Sequence, residues 1–233
     1  MNSYIREPIN GLTHLLGAIL SFIGLLAMVI KASLTTSSAL AITAVIIFGI
    51  SLILLYSTSA TYHMVIAKDK VIAFLRKLDH SMIFILIAGS YTPFCLISLN
   101  GVTGWLLFGI VTAVAISGIL FKMIWFSCPR WLSTALYIAM GWIIIFAFSP
   151  LSESLSFPGL FLLIFGGVLY TIGGAIYAIK PKFLEFKHFG FHEIFHIFIM
   201  LGSLAHFFSV YLYVIWINRS ANKQNGYFLL HIN

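Results

Sequence analysis

The chain has 233 residues, of which 61% are hydrophobic and only 8% charged, with a mean hydropathy of +1.06. Water-soluble domains carry about 25% charged residues, so this composition excludes a soluble globular fold, a disordered chain, a collagen-like fibre and a small disulfide scaffold. The net charge of +7 then reads as basic loops beside anionic headgroups, with no nucleic acid implied as a partner.

Apolar stretches long enough to cross about 30 Å of hydrocarbon fall near residues 11–30, 39–66, 79–99, 104–124, 131–149, 157–179 and 190–216. The first is too long for a cleavable signal and no A-x-A site follows it. Turn residues separate the spans: Thr35-Thr36-Ser37-Ser38, Asn100-Gly101, Cys128-Pro129-Arg130, Ser149-Pro150 and Lys180-Pro181-Lys182. Short connections force antiparallel neighbours, so the expectation is an all-α integral membrane protein, a single seven-helix bundle over residues 1–233. Continuous apolar runs without period-two alternation exclude a β-barrel. No internal repeat supports an inverted-repeat transporter. Gly166-Gly167 and Gly173-Gly174 form a small-residue stripe where another helix can approach closely. Cys95 and Cys128 show no metal spacing and imply no disulfide.

Ten of the thirteen basic residues fall on the N-terminal side of the bundle: Arg6, Lys68, Lys70, Arg76, Lys77, Lys122, Arg130, Lys180, Lys182 and Lys187. Lys31, Arg219 and Lys223 fall on the other. The positive-inside rule therefore predicts a cytoplasmic N-terminus and an external C-terminus, with Trp105 and Trp216 near one interface and Trp125 and Trp131 near the other.

Ionisable residues inside lipid each need a reason, at about 2.5–3.5 kcal/mol apiece on insertion scales. Glu7, Asp69, Glu153 and Glu185 fall in loops or tails, whereas Asp79 and Glu193 open spans 3 and 7. His63 closes span 2, His80 opens span 3, His192 and His196 open span 7, and His14 lies one turn into span 1. With antiparallel spans, all of these converge on the cytoplasmic end. In His192-Glu193-Ile194-Phe195-His196 the two imidazoles lie at i and i+4, on one helix face about 6 Å apart. That spacing suits one metal ion, zinc, with His63 as third ligand and a position left for water. Asp79 is then the base and later proton donor, and Ser59, one turn before His63, steadies water or an oxyanion.

Each residue also has a plainer reading. The histidine pair can bond neighbouring helices, His63 can be interfacial, Asp79 can pair with Arg76 and Lys77 or cap its helix, and Ser59 can bond its own helix carbonyl. His14 and His80 are expected as supporting or helix-contact residues, and Glu193, about 100° round the helix from His192, as a solvated one. His206 lies about 15 Å beyond His196, too far to share an ion.

Assembled in order, these residues resemble the hemolysin III family, the bacterial branch of the progestin and adipoQ receptors. That branch belongs to a superfamily of membrane hydrolases that includes alkaline ceramidases. The resemblance is carried by Glu7-Pro8-Ile9-Asn10-Gly11-Leu12-Thr13-His14, Ser59-Ala60-Thr61-Tyr62-His63, Lys77-Leu78-Asp79-His80-Ser81, Gly89-Ser90-Tyr91-Thr92-Pro93, and His192 through His196 followed by His206. It implies a zinc on three histidines, matching His63, His192 and His196, an acid matching Asp79 and a serine matching Ser59. It also implies a multi-pass protein of the bacterial cell membrane. Receptor relatives often carry Gln at the position of Glu193 and Tyr at that of His80, a difference that leaves the metal residues untouched but weakens any transfer of receptor-type ligand recognition. No extended domain precedes span 1, so adaptor binding through one is not expected.

Four functions follow as expectations. The first is a zinc-dependent hydrolase of a lipid amide or ester, with membrane lipids as environment and substrate. The second is a cytolytic or pore-forming protein, as the name hemolysin implies. The third is an intramembrane metalloprotease, because residues 192–196 match H-E-x-x-H with Glu193 as base. The fourth is a receptor or sensor with a structural zinc. Sequence alone leaves the substrate and the oligomeric state open.

Overall fold

The computed structural model describes residues 4–36, 38–186 and 190–216. Ser37, Lys187, Arg219 and Lys223, used above in placing turns and charges, lie outside them. The described residues form α1 (Pro8–Thr35), α2 (Ala39–Met64), α3 (Asp69–Pro93), α4 (Val102–Ile124), α5 (Arg130–Gly141), α6 (Phe148–Ser154), α7 (Phe157–Ile179) and α8 (Phe191–Ser209), with no strand among them. A π-helical turn, Phe94–Leu99, extends α3, and another, Val210–Val214, extends α8. A 3₁₀ segment, Trp142–Ala147, joins α5 to α6. Seven helical stretches are long and apolar enough to span a membrane, α5 and α6 counting together as the fifth.

The bundle is built for lipid outside and close packing inside. On α1 the buried residues are Asn10, Gly11, His14, Gly17, Ser21, Met28 and Ala32, mostly three or four apart and mostly small or polar. Leu12, Leu16, Ile19, Leu20 and Ile23 face outward. That inverts the soluble pattern, because lipid tails solvate leucine as well as another helix does, and small residues gain most from contact. The glycine stripe behaves as expected on the α7–α8 seam: a Cβ at Gly173 would lie 2.7 Å from the Phe198 Cβ, and one at Gly166 2.6 Å from His206 Nε2. Gly202 on α8 answers from the other side, where a Cβ would lie 2.6 Å from the Tyr170 ring.

Two boundaries differ from expectation. Helix α3 begins at Asp69, so Asp79 and His80 lie well inside it rather than at its start. Hydropathy cannot see those first turns because they are charged, yet an acid in the first turn favours a helix. Ser149-Pro150 does not end the fifth span; Pro150 sits in the first turn of α6, where proline costs no hydrogen bond. The real irregularity is earlier, after Gly141. There the Tyr91 hydroxyl bonds the carbonyls of Met140 (3.0 Å) and Gly141 (2.6 Å) and accepts from the Ile144 amide (2.9 Å). A broken helix inside a membrane is tolerated when a neighbour supplies its missing bonds in this way. Cys95 and Cys128 are free and buried.

Candidate metal centre

The site is assembled where α1, α2 and α8 meet. The C-terminal turn of α2 has carbonyls without helical partners. The strand of chain leading into α1 takes two of them: the Glu7 amide donates to the His63 carbonyl (2.9 Å) and the Arg6 amide to that of Met64 (3.4 Å). This pins Glu7 beside the His63 ring, and its Oε2 lies 2.6 Å from His63 Nδ1. A carboxylate accepts, so Nδ1–H donates and the lone pair of His63 is left at Nε2. That nitrogen is 3.4 Å from His192 Nε2. His63, His192 and His196 each offer a ring nitrogen, all within 4.8 Å of one another. His63 and His196 are 1% and 2% exposed, so their rings have little access to water.

The His63 hydrogen bond is also the largest influence on Glu7, outweighing partial burial and holding its carboxyl at about 2, with Arg6 adding to the effect. Arg6 Nε lies 3.2 Å from Glu7 Oε1. On α8, Glu193 is not merely solvated. Its Oε2 accepts the Gly190 amide (2.8 Å), an N-terminal cap, and its Oε1 accepts from Asn10 Nδ2 on α1 (2.8 Å). Glu193 thus ties the start of α8 to the start of α1, and its carboxylate is already engaged, which leaves the protease reading without geometric support.

His14 stacks on His196, ring centroids 3.6 Å apart, and neither of its nitrogens has a hydrogen-bond partner. Buried polar atoms are nearly always paired, and His196 Nδ1 also lacks a partner among the described residues, so this cluster of imidazoles fits a group that supplies one. A divalent cation does so for imidazole donors. His80 is different: Nδ1 meets the Arg76 carbonyl (2.8 Å) and Nε2 the Tyr177 hydroxyl (3.2 Å), so it is a helix contact.

Asp79 and Ser59 are not in the three-histidine group. They line, with His14 and His80, one end of a cavity of about 140 Å³ that runs among α1, α2, α3, α5, α7 and α8 as far as His206. A second, open hollow touches Glu7, Asn10, His192 and Glu193 at the bundle's end. The cluster therefore reaches the surface through His192 and adjoins the cavity through His14. Sequence reading missed Glu7 and Asn10 as members of the site. Both stand in the segment Glu7 to His14 quoted above, but nothing in it announces a contact with a histidine 56 residues away.

A family profile described as Haemolysin-III related matches residues 2–207. "Hemolysin-3" of Bacillus cereus is 44% identical over 218 residues, covering 92% of this chain and 95% of that protein. "Hemolysin-3 homolog" of Bacillus subtilis (strain 168) is 41% identical over 212 residues, covering 91% and 96%. With seven apolar helices and bacterial relatives along nearly its whole length, the chain is a multi-pass bacterial membrane protein and belongs to the hemolysin III family.

Proposed function

We propose that the chain is a zinc-dependent hydrolase of a lipid amide or ester, inserted with its N-terminus and histidine cluster towards the cytoplasm. What carries the reading is the meeting of three imidazoles from two distant segments, one backed by a carboxylate, beside an apolar cavity. His63, His192 and His196 would hold the zinc: imidazole nitrogens are donors it takes, and theirs lie within 4.8 Å of one another, with His63 and His192 3.4 Å apart. When bound to His63, His192 and His196, zinc supplies Lewis acidity and lowers the pKa of water. The remaining roles belong to the chain. Glu7 fixes the His63 ring, and the cavity holds the acyl part of the substrate. Asp79 takes the proton released as water adds to the carbonyl carbon and returns it to the departing amine or alcohol. Ser59 donates to the carbonyl oxygen.

Metal analysis and lipid turnover on the purified chain test this together. About one zinc per chain, with both zinc and turnover lost in His196→Ala, is the expected result. Turnover that survives His196→Ala, or a native protein without metal, overturns it. The printed names of the relatives favour a second reading, cytolysis. Dye release from liposomes that a chelator does not affect would support lysis without the metal centre. A zinc that binds stoichiometrically with no turnover of any lipid would leave a structural or sensing site.

A further inference from the structure

The far end of the cavity is lined by a histidine with one ring nitrogen that the described residues leave unpaired. His206, on α8, is buried, and its Nε2 lies 3.1 Å from the Leu163 carbonyl. A carbonyl oxygen only accepts, so Nε2 carries the proton and donates; a ring with that one proton presents a lone pair at Nδ1. Nδ1 is buried and has no hydrogen-bond partner among the described residues. The Nε2–Cδ2 edge of the ring packs against Gly166. Nδ1 is the vertex opposite that bond, so it points away from α7 at that place.

The hydroxyls around it are already committed. The Tyr56 hydroxyl donates to Ser203 Oγ (2.7 Å), which also bonds the Tyr170 hydroxyl (2.8 Å), and Ser209 Oγ donates to the Gly159 carbonyl (2.7 Å). The Tyr91 hydroxyl serves the break after Gly141. The other surfaces nearby are rings and aliphatic chains, Phe94 and Tyr170 among them. A buried water needs two to four polar partners and finds one here. A hydroxyl attached to a hydrocarbon chain needs no more than this one acceptor, and its chain fills the apolar walls.

We infer that the cavity takes a lipid with a hydroxyl group part-way along its chain, and that His206 Nδ1 accepts the hydrogen bond from that hydroxyl. Ten residues of helix separate His206 from His196, about 15 Å. The hydroxyl therefore lies about that far from the lipid's polar end. The inference rests on the proposed lipid hydrolase only for which end of the ligand faces the histidine cluster; the recognition itself stands on the cavity and the unpaired nitrogen.

The test is binding of three free fatty acids to the purified full-length chain in detergent, read by native mass spectrometry. The probes are stearate, a hydroxystearate with its hydroxyl in mid-chain, and the corresponding ketostearate, which accepts a hydrogen bond but donates none. The expected result is about a tenfold preference for the hydroxy acid over both others, the worth of one well-placed buried hydrogen bond. His206→Phe removes the acceptor at Nδ1 without putting another in its place, and it should abolish the preference for the hydroxy acid over the other two probes. Equal affinity for the three probes, no binding of any, or a preference that survives His206→Phe overturns the inference. The three-probe comparison on the native chain decides the matter even where the variant fails to fold. None of the probes has a scissile bond, so the outcome is independent of turnover: preference without hydrolysis sinks only the hydrolase, and hydrolysis without preference sinks only this assignment.

Discussion

The two ends of α8 both carry polar side chains into a hydrophobic bundle, and they spend them differently. At the far end the Ser203 hydroxyl is shared by Tyr56 and Tyr170, Ser209 closes on the Gly159 carbonyl, and Lys31 reaches the Tyr211 carbonyl in the π-helical turn. These bonds join helices and use up nearly every donor and acceptor. At the near end His192 and His196 meet His63 and His14, and both nitrogens of His14 and Nδ1 of His196 have no hydrogen-bond partner among the described residues. A bundle selected only for stability would not collect such atoms, because each unpaired buried group costs about 1–3 kcal/mol. Satisfied polar groups in a membrane core hold the fold together; unsatisfied ones mark the place where something else binds. Glu7 shows the near end to be organised and not merely strained, since it orients His63 from behind.

The comparison can be broken at several points. Beyond the loss of metal on His196→Ala, Glu7→Ala should weaken metal affinity by about 10–100-fold, the usual cost of removing a carboxylate behind a ligating histidine. Competition with a chromophoric chelator measures it, and an unchanged affinity would make Glu7 a helix cap only. On the α7–α8 seam, Gly166→Ala drives a methyl into the His206 ring and should cost about 1–3 kcal/mol. Gly167→Ala meets nothing within 4 Å and should leave the melting temperature unchanged; equal effects would show that the seam is looser than described. At the far end, Ser209→Ala removes one satisfied bond and should lower stability by about 1 kcal/mol with metal content untouched.

The smallest effect is one of pH. Glu7 is held at about 2 in the fold, against 4.5 as a free side chain. Its contact with His63 is therefore fully present above about pH 4.5 and is lost as pH falls towards 2. Thermal melts of the native chain and Glu7→Gln should run parallel above pH 5 and converge between 4.5 and 2. Convergence already at neutral pH would refute the assignment.

Much of this architecture is legible from residues alone, because a membrane restricts the choices so severely. Seven apolar runs admit only helices, and ionisable residues inside them are rare enough for His63, His192 and His196 to stand out together. The i, i+4 spacing of the last two is a property of any α-helix. Four features required the folded chain. Glu7 becomes the partner of His63 only because the segment before α1 caps the end of α2. Asp79 lies inside α3 because charged turns lengthen a helix that hydropathy cuts short. Glu193 joins two helix starts instead of facing solvent, and His206 keeps a free nitrogen because Ser203 and its tyrosines are already bonded to one another. Periodicity belongs to one helix at a time and can be read along the chain. Which lone pairs find partners is settled between helices, where residues far apart in sequence meet.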